Sequence, residues 1–209
     1  MYQSARDLNL TVEEYLKREE SSTVRHEYVS GRVFAMSGAT LAHNQICGNF
    51  YALLHAHLSG TGCRAYINDV KLCIEALNSF YYPDIMVTCE PFVPKNVYAK
   101  APVLVAEVMS PSTKHIDRRE KLLAYRQLMS LGSYLIIHQD RYCIEIYRED
   151  SAGNWDVDIL GKCDALSLDR IGVGKLKVPV AAIYGDIVLE PTVEEEEEDY
   201  AFHPHSQCD

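Results

Sequence analysis

Val103-Leu104-Val105-Ala106-Glu107-Val108-Met109-Ser110-Pro111-Ser112-Thr113 is the stretch on which the fold turns. Its first four residues form a continuous apolar run, as expected of a strand covered on both faces. Glu107 closes that run with a carboxylate, and Asp84 of Tyr82-Pro83-Asp84 does the same for the strand upstream. A carboxylate at the end of a buried strand is costly unless it meets a cation, a metal or solvent. Two strand-borne carboxylates therefore suggest a metal site.

Downstream, Ser112 or Thr113 is expected to cap a helix running to about Leu131, with Leu122, Leu123, Tyr125 and Leu128 on its inner face and Gly132 as its stop. Tyr134–His138 reads as the next strand, and strands near 142–148 and 155–160 form a meander around Asp150-Ser151-Ala152-Gly153-Asn154. Residues 165–189 read as short strands or turns. Upstream, Thr11-Val12-Glu13-Glu14 fits a capping box that starts a short helix to about Glu19. Two short strands follow, joined at Ser30-Gly31, and then a helix from Thr40 to Leu58 that Ser59-Gly60-Thr61-Gly62 ends. Strands are expected at roughly 63–67, 70–76 and 82–88, before a proline-rich loop to Pro102. This order describes an α/β protein with a mixed central β-sheet flanked by helices.

The chain has 209 residues, 47% of them apolar, enough for one sizeable core. Residues 1–190 are expected to form a single domain, with 191–209 as an acidic, disordered tail, because the glutamate run offers nothing to offset ordering entropy. The formal charge is −10, and the eight acidic residues from Glu190 onward leave the first 189 residues at −2. That balance neither shows nor forbids a nucleic-acid surface. Seven scattered cysteines without C-x-x-C spacing indicate neither a disulfide framework nor a zinc cluster, so reduced thiols in the cytoplasm are expected. No secretory leader or membrane-spanning run is visible.

Asp84 and Glu107 on neighbouring strand ends, aided by a main-chain carbonyl, make the hard oxygen environment that Mg²⁺ or Mn²⁺ takes. An ion there would polarise a phosphodiester oxygen and activate a bound water. Lys121 is the candidate cation beside that water, four residues from Asp117 on the following helix. Plainer readings exist for each: Asp84 as a turn residue after proline, Glu107 as an ion-pair partner of Lys121, and Asp117 with Lys121 as an exposed pair.

Taken together, Tyr82-Pro83-Asp84, Glu107-Val108-Met109-Ser110-Pro111-Ser112-Thr113, Asp117-Arg118-Arg119-Glu120-Lys121 and Tyr125 resemble the Uma-type putative restriction endonuclease family, a branch of the PD-(D/E)XK nuclease superfamily. The resemblance spans roughly residues 8–188. It implies a restriction-endonuclease-like core and metal-dependent phosphodiester cleavage, with Asp84 and Glu107 as metal ligands. The superfamily's usual lysine, two residues after the acid, is here Met109; branches that move it to the neighbouring helix assign the role to Lys121. Glu27 resembles the family's upstream acidic position, and His43 a histidine at the helix start. Lys114, Asp117 and Arg118 are candidates for phosphate contact or support.

The expectation is a Mg²⁺- or Mn²⁺-dependent DNA endonuclease, with a homodimer expected only by analogy with enzymes that cut two strands. The alternative is an inactive nuclease-fold module that binds nucleic acid or a protein partner.

Overall fold

Thr11 starts the fold with the expected capping box: its amide donates to the Glu14 carboxylate at 2.9 Å, and the Glu14 amide donates to its hydroxyl at 3.2 Å. The computed structural model describes residues 9–36, 38–109, 116–169, 171, 172 and 174–189, without the side chains of 116–118. Helix α1 (Val12–Glu20) leads to β1 (His26–Val29) and β2 (Arg32–Ala35). Ser30 and Gly31 link these strands with φ of 48° and 93°, the left-handed pair that a tight hairpin of this twist requires. Thr40 then caps α2 (Leu41–Leu58), accepting from the His43 amide at 3.1 Å.

Strands β3 (Arg64–Ile67), β4 (Lys71–Ile74), β5 (Ser79–Tyr81), β6 (Ile85–Thr88), β7 (Tyr98–Ala99) and β8 (Pro102–Met109) follow. The expected strand over 82–88 is thus corrected. Tyr82-Pro83-Asp84 connects β5 to β6, since proline has no amide to donate to a ladder.

After β8 a widened helical turn, Ile116–Lys121, passes into the short α3 (Leu122–Tyr125). The helix expected to reach Leu131 therefore ends early, and Leu123 is 63% exposed while Ala124, Tyr125, Leu128 and Leu131 are buried. Strands β9 (Ser133–His138), β10 (Ile144–Glu149), β11 (Trp155–Leu160), β12 (Ala165–Leu168) and β13 (Leu176–Pro179) lead to α4 (Val180–Ile183).

The strands divide between a six-stranded sheet, β11-β10-β9-β8-β6-β3, and a five-stranded sheet, β2-β1-β5-β4-β7, with β12 and β13 as a separate pair. Both larger sheets are mixed: β8 runs parallel to β9, and β4 parallel to β7. Strand β8 is the partition, buried on both faces as its apolar run requires. Leu104, Ala106 and Val108 pack with Ile46, Phe50 and Leu54 of α2. Val105 and Met109 point the other way, into a core shared with Leu72 and Tyr81 of the five-stranded sheet and with Tyr125.

One cysteine pair departs from expectation. Cys63 and Cys89 flank the antiparallel pair β3/β6 just beyond the Arg64–Thr88 match and are joined by a disulfide, their Cα atoms 4.0 Å apart. Among the described residues, no helix is long and apolar enough to cross a membrane.

Candidate active site

Side chains alternate along β8, so Glu107 shares the face of Val105 and Met109. Its neighbour β6 is antiparallel, with Ile85 opposite Ala106, which brings Asp84, one residue before β6, beside Glu107. The two acids are cross-linked through the main chain. The Val108 amide donates to Asp84 Oδ2 at 2.8 Å, and the Asp84 amide donates to Glu107 Oε2 at 3.4 Å. Asp84 therefore sits at the start of its strand, and Glu107 lies two residues inside its own.

Glu107 Oε1 accepts from Lys121 Nζ at 3.0 Å and from the Tyr125 hydroxyl at 2.7 Å. Lys121 ends the widened turn and Tyr125 ends α3, four residues on, so the two donors reach one oxygen from the same side. Lys121 Nζ also stands 3.5 Å from Glu27 Oε1, which in turn accepts from the Tyr82 amide at 3.2 Å. Glu27 belongs to β1, so this one ammonium ties the two sheets together. Glu27, Glu107 and Lys121 are 2%, 3% and 7% exposed, a depth at which unbalanced charge is expensive. Burial, then the charge of Glu107, holds the Tyr125 phenol well above its ordinary pKa, so it remains a protonated donor.

Met109, two residues beyond Glu107, fills the core between the sheets. The position two residues beyond Glu107 is thus apolar, and the ammonium beside Glu107 is that of Lys121, from the helical segment.

His43, in the first turn of α2, presents Nε2 at 3.1 Å from Asp84 Oδ2, while its Nδ1 lies 3.6 Å from Cys47 Sγ one turn further on. Cys47 is fully buried, and burial, followed by the charges of Asp84 and Glu107, pushes its thiol pKa up. The side chains of His43 and Asp84 keep 14% and 15% of their surface exposed, so this edge of the cluster is open to small solutes.

The donor set fits a divalent ion. Glu27 and Glu107 flank one lysine, and Asp84 lies beside Glu107, a set of oxygen donors that suits Mg²⁺ or Mn²⁺, with the His43 imidazole at hand. Asp84, Glu107, Lys121, Glu27 and His43 thus come together as the sequence suggested. Lys114 and the side chains of Asp117 and Arg118 lie outside the described residues. Arg126, just past α3, stacks over Trp155 with its guanidinium carbon 5.6 Å from the ring centroid. Sequence reasoning missed Cys47; its signal was the four-residue spacing from His43, which places both on one helix face.

A family model for Uma2, described as putative restriction endonuclease, matches residues 12–174. The chain belongs to the Uma2 family. Two Synechocystis proteins named as uncharacterized are each 34% identical to this Uma2 chain, one over 78% of it and 87% of the relative, the other over 70% and 84%. A crystal structure of a putative nuclease from Anabaena variabilis superposes with a TM-score of 0.69 at 15% identity, covering 84% of this chain and 97% of that one. That likeness shows the Uma2 chain's fold to be the nuclease-like α/β fold of its neighbour.

Proposed function

We propose that this Uma2 chain is an endonuclease that hydrolyses phosphodiester bonds in DNA with a divalent ion, Mg²⁺ or Mn²⁺, held by Asp84 and Glu107. The observation that carries the reading is the convergence on Glu107: Asp84 is locked beside it by strand register, and Lys121 Nζ reaches its other oxygen at 3.0 Å. When bound, the ion supplies Lewis acidity toward a phosphate oxygen and a more acidic water.

The chain's own residues do the rest. Lys121 places a positive charge where an attacked phosphate gathers negative charge, and Glu27 fixes the direction of that ammonium. Tyr125 holds one carboxylate oxygen of Glu107, so the orientation of the other is set before substrate arrives. His43 orients Asp84 from the opposite side. A single domain over residues 1–190 with 191–209 as an acidic tail and a homodimer for cutting both strands belong to the same proposal, whereas the cytoplasm loses its argument from reduced thiols with the Cys63–Cys89 disulfide.

Plasmid DNA incubated with the protein and Mg²⁺ or Mn²⁺ tests it. Wild type is expected to nick or linearise the plasmid, and Asp84→Ala and Glu107→Ala to fail. Equal activity in all three, or none in any, would refute the proposal.

The enclosure of Lys121 between two buried carboxylates favours a second reading, a structural ion-pair network in an inactive module that binds nucleic acid or a protein. Calorimetry separates the two: this reading requires DNA or protein binding without any divalent-ion binding.

A further inference from the structure

We infer that Cys47 is a direct metal ligand, which makes the centre a mixed nitrogen, oxygen and sulfur site with a preference for a borderline transition ion such as Zn²⁺ or Co²⁺ over Mg²⁺. The inference rests on the metal-dependent reading above: it keeps Asp84 as the shared ligand and replaces Glu107 and Mg²⁺ or Mn²⁺ with His43, Cys47 and a borderline ion.

The geometry comes from two elements. His43 and Cys47 are one turn apart on α2, and Asp84 faces them from the start of β6. One ligand atom from each of the three lies within 4.8 Å of the others. The ring now bridges the other two, Nδ1 at 3.6 Å from Cys47 Sγ and Nε2 at 3.1 Å from Asp84 Oδ2, and an ion would take one of these nitrogens in place of the contact it makes. A tetrahedral zinc site, with metal–sulfur bonds near 2.3 Å and metal–nitrogen or metal–oxygen bonds near 2.0–2.1 Å, has ligand-to-ligand edges of about 3.3–3.6 Å. The three donors thus need to draw in by only about an ångström, leaving the fourth corner for water or a phosphate oxygen.

Chemistry adds selectivity. Sulfur and imidazole donors are poor partners for Mg²⁺, which asks for six oxygens, and good ones for zinc and cobalt. Cys47 is buried in the apolar layer between α2 and the six-stranded sheet, so an ion bound there would be shielded from water on its sulfur side. A second-row hydroxyl at the same position would not supply this preference.

Cobalt absorption decides the matter. Reduced wild type titrated with Co²⁺ is expected to show a sulfur-to-cobalt charge-transfer band in the near ultraviolet that Zn²⁺ abolishes by displacement. Cys47→Ser should lose the band and hold Zn²⁺ at least about ten-fold more weakly, a larger loss than it shows for Mn²⁺. Asp84→Asn, which leaves the thiol in place, should also weaken the band, tying the signal to this centre even if the Cys47 variant does not fold. Stoichiometric, Asp84-dependent Co²⁺ binding to wild type without the band would overturn the sulfur ligand and leave the carboxylate reading standing. Absence of any divalent-ion binding would overturn both.

Discussion

Lys121 neutralises two buried acids at once, so removing its charge is expected to cost more than one lost contact. Lys121→Met removes the ammonium that stands between the buried carboxylates of Glu27 and Glu107, and unfolding titrations should show a loss of roughly 3–5 kcal/mol. Adding Glu107→Gln should recover part of it, because the second change removes one of the stranded charges. Tyr125→Phe deletes one donor to an ionised acceptor and should cost about 1.5–3 kcal/mol by the same measurement. At this scale the sequence was informative where chemistry is written in the residue itself: an acid closing an apolar run, a lysine a few positions on. Cys47 was not legible in that way, since a buried thiol in an apolar helix face looks like packing until Asp84 is seen across from it.

The N-terminus of α2 carries His43, and Thr40 holds that end from two sides: it accepts from the His43 amide and donates to Gln139 Oε1 at 2.7 Å. Thr40→Ala should lower stability by about 0.5–2 kcal/mol, seen in thermal or denaturant unfolding. If His43 orients Asp84 as proposed, the same variant should also weaken divalent-ion binding measured by calorimetry. Elements with a local signature were readable, as at Thr11 and Glu14, at Ser30-Gly31 and at Thr40. The break at Tyr82-Pro83 was not, because Tyr82 reads on into the apolar run of β6, and the sequence predicts no strand over Ser79–Tyr81, where β5 lies. Nor was the end of α3 at Tyr125, beyond which Leu128 and Leu131 are buried outside any helix, so that tertiary packing overrides helical periodicity.

Across the whole molecule, tyrosines set the alkaline limit. Burial, then the charge of Glu27, pushes Tyr81 up to about 12, and burial raises Tyr15, Tyr82, Tyr125 and Tyr184 as well. A phenol whose pKa is higher folded than unfolded contributes stability that is complete below the unfolded value, near 10, and is lost as pH climbs through the folded one. Unfolding free energy should therefore drop between about pH 10 and about pH 12, together with tyrosinate absorbance. The division into two sheets could not be read from the chain, because strand partners are chosen by tertiary contact. The Cys63–Cys89 link was hidden for the same reason: the two residues are 26 apart in sequence and become neighbours only when β3 pairs with β6.

The ammonium shared by Glu27 and Glu107 has an evolutionary corollary. If the family cleaves as proposed, a lineage that abandoned cleavage could not discard Lys121 by a single neutral step, since the fold would weaken with the chemistry. Descendants lacking this lysine should carry a second replacement, at the position of Glu27 or of Glu107, that removes an acid. Silent members of the family would then be recognisable by that paired scar, and intact triplets would mark chains in which the fold alone can account for the lysine's retention.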